Sequence, residues 1–147
     1  MEELSKFTEI LDYLMFENNL NKKTLAANVN VRATAFTNYF HHRHMPTVEV
    51  LLKIADYFNC STDFLLGFEE ENKNLTFKEC PAFPEQLKFL IEYFKFPSAH
   101  AFYTSANIPK SVYYNWISGS KKPSLDNIIK LAEHFDRRVD FILGRET

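Results

Sequence analysis

The sequence predicts an all-α protein built from two tandem five-helix domains. Apolar residues recur at helical spacing along most of the 147 residues, and no segment alternates convincingly between apolar and polar residues as a half-buried strand would. The chain also contains an internal repeat: a shift of 77 residues overlays it on itself without a gap from about Thr24 to Gly67, with ten identities in 44 positions. Chance alone would give roughly three identities, so the repeat indicates a duplicated domain.

Composition and charge narrow the class of protein. The formal net charge is −2, which argues against a non-specific nucleic-acid binder because that class is strongly basic. No apolar run approaches the roughly 18 residues that span a bilayer, and the acidic N-terminus has no signal-peptide core, so a cytoplasmic protein is expected. Cys60 and Cys80 lie too far apart in sequence for a zinc motif, and no disulfide is expected in a reducing cytosol.

No enzyme and no cofactor are expected. The sequence contains no Ser-His-Asp set, no paired carboxylates and no phosphate-binding loop, and its three glycines all fall at expected loop or helix ends. The run from His41 to His44 resembles a metal cluster but lacks a spaced fourth ligand. These histidines are therefore expected on the surface or near phosphates.

The first domain is expected at residues 1–67. Its first helix is marked by apolar side chains at helical spacing: Phe7, Ile10, Leu11 and Leu14. Three later helices begin at side chains that can accept hydrogen bonds from free backbone N–H groups: Asn21, Thr47 and Ser61. Asn30 is expected in the turn before the third helix, which runs from about Arg32 to Phe40, since Asn tolerates the left-handed conformation.

A linker is expected at residues 68–83 and the second domain at 84–147. Glu69 to Asn74 is a charged run, and Pro81 and Pro84 prevent one helix from continuing across the boundary. Apolar residues in the linker suggest that part of it packs. Helices are expected near residues 84–94, 98–106, 109–118, 124–135 and 139–143, with Ser124 as the counterpart of Thr47.

The stretch from Ser105 to Gly119 organises the second domain. It reads as a turn, a helix that starts at Pro109, and a glycine stop. One stripe of this helix is apolar and expected to be buried: Val112, Tyr113 and Trp116. The other side carries polar and aromatic groups suited to a DNA groove: Lys110, Ser111, Tyr114 and Asn115.

The run from Ala99 to Leu143 resembles the helix-turn-helix family of phage Cro and repressor proteins, also called the XRE family. The matching features are, in order, Asn107-Ile108, Trp116, Ser118-Gly119, Lys121-Lys122 and Pro123-Ser124. The internal repeat extends this resemblance to two copies. It implies two lambda-repressor-like domains and double-stranded DNA as the partner. The implied function is a sequence-specific transcriptional regulator of bacterial or phage repressor type, with the third helix of one or both domains in the major groove.

The resemblance also implies which side chains contact DNA. The implied base-reading residues of the two third helices are Lys110, Ser111, Tyr114 and Asn115 in the second copy and Thr34, Thr37 and Asn38 in the first, where Ala33 offers little to a base. The implied phosphate-binding residues are Lys22, Lys23, Arg43, Ser98, His100, Lys121 and Lys122. Residues 1–67 carry a net charge of −2 and residues 84–147 a net charge of +2, so the second copy is expected to be the stronger reader.

Two questions stay open from the sequence. Phe40 and Ile117 occupy equivalent positions after the third-helix aromatic residue, which suggests either a homodimer or intramolecular pseudo-dimer contact, or local aromatic repacking. His42 stands where the other copy has Gly119, so the first copy's loop is expected to be remodelled. The alternative function is a helical protein-interaction module, antitoxin-like or an assembly partner, that retains the fold; the acidic pI of about 6.2 favours it.

Overall fold

The computed structural model describes residues 2–72 and 76–146. These residues form ten α-helices and no strand, which confirms the all-α prediction. The chain divides into two compact units, Met1–Leu75 and Thr76–Thr147. None of the described helices combines the length and the apolar character needed to cross a membrane.

Each unit contains five helices. Those of the first unit are α1 (Glu2–Glu17), α2 (Lys22–Val29), α3 (Ala33–Phe40), α4 (Val48–Phe58) and α5 (Thr62–Leu65). Those of the second unit are α6 (Phe83–Tyr93), α7 (Ala99–Ser105), α8 (Lys110–Ser118), α9 (Leu125–Phe135) and α10 (Val139–Leu143). The centre of each core consists of fully buried apolar side chains, including Leu4, Leu11, Phe36 and Ile54 in the first unit and Leu87, Leu90, Phe102 and Ile128 in the second.

Helix starts follow the predicted capping side chains. Asn21 Oδ1 accepts from the backbone N–H of Thr24 at 2.8 Å, and Thr47, Ser61, Ser98 and Ser124 cap their helices in the same way. Pro109 differs from the prediction. Its ψ of 143° is extended, so it occupies the capping position and α8 begins one residue later, at Lys110.

The duplication is visible in the backbone conformation. Four pairs of residues with positive φ are separated by 77 positions: Asn30 and Asn107, His42 and Gly119, Asn59 and Asp136, and Gly67 and Gly144. His42 adopts the same left-handed conformation as Gly119, with φ 55°. The same turns recur at the same places in both units although most side chains differ.

Equivalent long-range hydrogen bonds also recur. Lys53 Nζ donates to the Asn30 carbonyl at 3.5 Å, and Lys130 Nζ donates to the Asn107 carbonyl at 2.8 Å. Each bond ties the fourth helix of its unit to the turn before the third helix. A second pair joins the second and fourth helices through Asn28 and Tyr57, and through Ser105 and His134.

Part of the expected linker packs on the second unit. Phe77 pairs with Glu146 in an isolated antiparallel bridge, and the Arg145 guanidinium lies 3.9 Å from the centre of the Phe77 ring. Phe83 is the first residue of α6 and contacts the Trp116 ring edge-on. Residues 73–75 of the expected linker lie outside the described part of the chain.

Candidate nucleic-acid interface

Helix α8 buries one side and presents the other to solvent. Tyr113 and Trp116 are buried against the core, whereas Lys110 and Ser111 are exposed and Tyr114 is 51% exposed. Trp116 packs on α6 and Tyr113 packs on α7, where its ring lies 5.2 Å from that of Tyr103. The exposed side chains therefore stand on a helix whose orientation is fixed from behind.

The turn between α7 and α8 is held at three points. Asn107 adopts the left-handed conformation with φ 54°, the Ile108 N–H donates to the Tyr103 carbonyl at 2.8 Å, and Lys130 binds the Asn107 carbonyl. Ile108 is itself buried and anchors the turn in the core. These contacts set the angle between α7 and α8, which is the geometry that a helix-turn-helix needs to present its second helix.

The start of α8 carries no side-chain cap. Pro109 has no side-chain acceptor to offer, so the first N–H groups of the helix remain for other acceptors. Lys110 Nζ lies 5.9 Å from the centre of the Tyr114 ring, which keeps the lysine along the exposed face. An exposed helix start beside a lysine favours contact with an anionic group.

Asn115 holds the loop that follows α8. Its side-chain Oδ1 accepts from Ser120 Oγ at 3.1 Å, and its backbone carbonyl accepts from the Lys121 N–H at 3.2 Å and from Ser118 Oγ at 3.2 Å. Asn115 is half-buried, and its Nδ2 forms no hydrogen bond with any described residue. Bidentate pairing with adenine would use this Nδ2 and would require Oδ1 to be shared with Ser120.

The equivalent asparagine in the first unit makes an equivalent contact. Asn38 Oδ1 accepts from Arg43 Nη1 at 3.0 Å, and Arg43 stands five residues after Asn38 just as Ser120 stands five residues after Asn115. Thr37 is half-buried and donates to the Ala33 carbonyl at 3.4 Å. Of the predicted base-reading residues on α3, Thr34 is exposed, whereas Thr37 and Asn38 are half-buried.

The predicted phosphate-binding residues are placed differently in the two units. Lys121 and Lys122 are exposed in the loop after α8. Ser98 caps α7 by accepting from the Ala101 N–H at 3.1 Å, and the exposed His100 packs edge-on against Tyr103. In the first unit Lys23 is exposed, whereas Lys22 Nζ lies 4.8 Å from the centre of the Phe40 ring.

Histidine side chains make contacts of the loop after α3, where His42 keeps the left-handed backbone that Gly119 has in the second unit instead of the remodelled backbone that was expected. His42 Nε2 is hydrogen-bonded to Thr8 Oγ1 on α1 at 3.2 Å, and the His44 ring meets the Tyr39 ring edge-on. Across residues 2–72 and 76–146, no three His, Cys, Asp or Glu side chains are grouped as metal ligands. The histidines thus connect the loop to the rest of the first unit.

Phe40 and Ile117, the two residues considered for an interface, are both half-buried. Because Lys22 covers the Phe40 ring, a local contact accounts for at least part of that side chain. An interface through these two residues stays a prediction.

The surroundings of two buried tyrosines, Tyr113 of α8 and Tyr39 of α3, raise the pKa of their phenols. Burial raises the pKa of the Tyr113 phenol above its ordinary value of 10.0, and the neighbouring Tyr114 and Tyr103 raise it further. Burial also raises the pKa of Tyr39, the residue of α3 that packs on Phe7 of α1. Both rings act as apolar supports of the exposed face.

Sequence reasoning missed the residues that position this interface. Ser120 was not predicted to have a role, although it holds Asn115, and neither was Lys130, which is identical to Lys53 at the repeat spacing of 77 residues. The available signal was a lysine that is identical in the two copies although it lies outside the hydrophobic pattern. In each copy this lysine binds the carbonyl of the turn before the third helix.

Comparisons with known proteins agree with this architecture. Residues 10–71 match the family model of the Cro/C1-type helix-turn-helix DNA-binding domain, and residues 100–142 match a helix-turn-helix family model. Neither a curated protein nor a solved structure matches the chain.

Proposed function

The chain belongs to the Cro/C1-type helix-turn-helix family in two tandem copies, and we propose that it is a sequence-specific transcriptional repressor that reads operator DNA through α8. The family supports a DNA-binding regulator in general. The specific role is carried by one observation: α8 exposes Lys110, Ser111 and Tyr114 while its opposite side is buried.

In this proposal α8 lies in the major groove. A lysine can donate to guanine O6 and N7, and a serine hydroxyl can pair with several base edges. Lys110 and Ser111 at the start of the helix are therefore assigned to base readout, with Tyr114 one turn later. Asn115 contributes its Nδ2 as a donor while its Oδ1 keeps the following loop in place.

The loop after α8 is assigned to the phosphate backbone. Lys121 and Lys122 are exposed next to α8, and the hydrogen bonds from Ser120 and Lys121 to Asn115 connect their position to the helix. Contacts of this kind set affinity and register without reading sequence. Ser98 and His100, at the start of α7, are assigned to the same role.

The second copy is assigned as the main reader. Residues 84–147 carry a net charge of +2, against −2 for residues 1–67, and binding to phosphates depends on positive charge. Among the candidates on α3, Thr34 is exposed and Thr37 and Asn38 are half-buried, whereas α8 exposes three of its candidates. The first copy is thus assigned weaker contacts through Lys23 and Thr34.

Selection of the full chain from a random DNA pool at controlled salt tests the proposal. We expect an enriched motif, and the double variant Lys121→Ala/Lys122→Ala should weaken binding to every sequence alike. Because each lost phosphate contact lowers the slope of log affinity against log salt by about 0.9, the two substitutions should reduce it by about 2. Lys6→Ala/Lys88→Ala removes the same charge from exposed residues of α1 and α6 and should leave the slope unchanged.

The alternative is an interaction module that retained the fold. The negative charge of the first copy and the half-burial of Thr37 and Asn38 favour it for that domain. No enriched motif, together with a stable protein partner, would establish the alternative and overturn the DNA-reading role. An enriched motif with an unchanged salt slope in the double variant would overturn the assignment of Lys121 and Lys122.

A further inference from the structure

A groove on the first unit combines charged and apolar surface that the proposed DNA contacts do not use. It is bordered by α1, by α5 and by the chain that follows α5, so it lies entirely within this unit. Its volume is about 740 Å³, within the range of about 300–1,000 Å³ that is usual for small-molecule sites. Its lining includes four carboxylates and two aromatic rings: Glu9, Glu17, Glu70 and Glu71, with Tyr13 and Phe64.

No basic side chain among the described lining residues balances the carboxylates of the groove. All four glutamates are exposed, and none of them forms an ion pair with any described residue. Elsewhere in the same unit, Lys6 lies 3.5 Å from Glu2 and Lys53 lies 3.8 Å from Glu49. The unbalanced negative charge of the groove therefore favours a cationic ligand.

The charge of the groove is spread along its length. Glu9 and Glu17 stand eight residues apart on α1, which places their Cα atoms about 12 Å apart along the helix axis. In the described part of the chain, no three His, Cys, Asp or Glu side chains are grouped as metal ligands. A single metal ion thus cannot meet these carboxylates together, whereas an elongated molecule with separated cationic groups can.

Apolar surface lies between the charged groups. Tyr13 stands one turn from Glu9 and one turn from Glu17 on α1, and its side chain is 55% exposed. Phe64 of α5 adds a half-buried ring to the lining. Aromatic rings attract alkylammonium groups and also gain free energy when they cover methylene chains. A ligand with methylene chains between its cationic groups therefore matches both parts of the lining.

The second domain carries different chemistry at the equivalent place. Asn19 and Lys95 are left-handed residues, each two positions beyond the end of α1 or α6, so Tyr93 takes the place of Glu17. There the guanidinium of Arg137 lies 5.7 Å from the centre of the Tyr93 ring. The acidic groove is thus a feature of the first domain that the duplication does not require.

We propose that this groove binds a linear aliphatic polyamine. Its ammonium groups pair with the four carboxylates, and its methylene chains lie on Tyr13 and Phe64. The first copy is then a ligand-binding domain next to a DNA-reading second copy. This role is additional to the proposed function and does not rest on it.

Calorimetric titration of the full chain with spermidine, without DNA, tests the proposal. We expect saturable binding at a single site, and Glu9→Gln/Glu17→Gln should raise the dissociation constant about tenfold or more because half of the facing carboxylates are lost. Glu85→Gln/Glu92→Gln is the matched control, since it removes the same charge from exposed residues of α6 and should leave the dissociation constant unchanged. Circular dichroism of each variant checks that both domains are folded.

A second pair of variants tests the apolar part of the site. Tyr13→Ala keeps the charge of the groove and should raise the dissociation constant for spermidine about threefold or more, because the ring contact is lost. Phe16→Ala removes a ring of the same helix that is 80% exposed and does not line the groove, so it should have no effect. Magnesium alone, at equal ionic strength, should bind more weakly than spermidine.

Several results would overturn the polyamine site. They are the absence of spermidine binding, an affinity that Tyr13→Ala leaves unchanged, equal losses in the Glu9/Glu17 and Glu85/Glu92 variants, and magnesium that binds as tightly as spermidine. Binding of a lysine-rich amphipathic peptide without binding of spermidine would instead make the groove a protein-docking surface. None of these outcomes bears on the DNA-reading role, which is measured separately.

Discussion

Asp140→Asn should cost the second domain a large part of its stability. Asp140 is fully buried and Arg145 is 1% exposed, and Arg145 Nη1 lies 3.3 Å from Asp140 Oδ1. Removal of the carboxylate charge takes an anion at 3.3 Å away from the buried Arg145 guanidinium, which also lies 3.9 Å from the centre of the Phe77 ring. Breaking a buried ion pair from one side costs about 3–5 kcal/mol, against a total of about 5–15 kcal/mol for a typical domain.

The same geometry predicts that Arg145→Met costs less stability than Asp140→Asn. Arg145→Met leaves Asp140 with Arg138, whose Nη2 lies 3.8 Å from Asp140 Oδ2. The Arg138 guanidinium can partly compensate the charge of the Asp140 carboxylate. Arg145→Met should therefore lower the free energy of unfolding by about 3 kcal/mol or less. The double variant Asp140→Leu/Arg145→Met buries neither charge and should lose less than the sum of the two single losses.

Denaturant unfolding, monitored by tryptophan fluorescence, measures the loss of stability of the second domain in these variants. Trp116 is the chain's single tryptophan and lies buried in the second domain, so its signal reports that domain. Asp136→Asn is the matched control, because Asp136 is an exposed carboxylate at a left-handed position that Asn tolerates; it should change stability by less than about 0.5 kcal/mol. The reasoning is refuted if Asp140→Asn costs no more than this control.

Three further predictions concern stability measured by denaturant or thermal unfolding. Gly119→Ala should cost about 1 kcal/mol of stability because of its φ of 78° alone, since no other part of the fold lies within 4 Å of the added Cβ. Gly144→Ala should cost clearly more, because its Cβ would lie 2.7 Å from a Pro81 carbon. Equal losses would contradict this reasoning. Burial raises the folded-state pKa of the Tyr113 phenol above 10.0, whereas the unfolded chain keeps the ordinary value. The stabilisation of the folded state by this group is therefore complete below pH 10 and is lost as the pH rises through the folded-state pKa. Tyr113→Phe should therefore make the melting temperature fall less as the pH rises above 10. An unchanged dependence of melting temperature on pH would show that ionisation of Tyr113 does not cause the fall. Lys130→Met should destabilise its domain more than Lys53→Met, because the bond from Lys130 to the turn carbonyl is 2.8 Å against 3.5 Å; the reverse order would argue against the role of this bond.

Local features of the fold were predictable residue by residue. The caps at Asn21, Thr47 and Ser124 and the left-handed Asn30 depend on contacts within a few residues, and all four are confirmed. Pro109 shows the limit of such rules. Proline suits both the capping position and the first helical position, and ψ decides between them.

The candidate site was less predictable than the fold. The helical spacing indicated which side of α8 faces solvent, but it could not indicate that Ser120 holds Asn115 or that Arg43 holds Asn38. These hydrogen bonds depend on the path of a loop after the helix ends. The contact of Lys22 with Phe40 likewise joins two helices and has no signature in either one.

The sequence by itself determined the class of fold, its duplication, and the helix that presents Lys110 and Ser111. These follow from a local period of 3.6 residues and from identities at one constant spacing, which need no knowledge of packing. Tertiary structure alone decided which polar groups are already engaged and where charge and aromatic surface remain exposed, as at Arg137 over the Tyr93 ring. Such contacts join segments tens of residues apart, so they exist only once the helices are packed at defined angles.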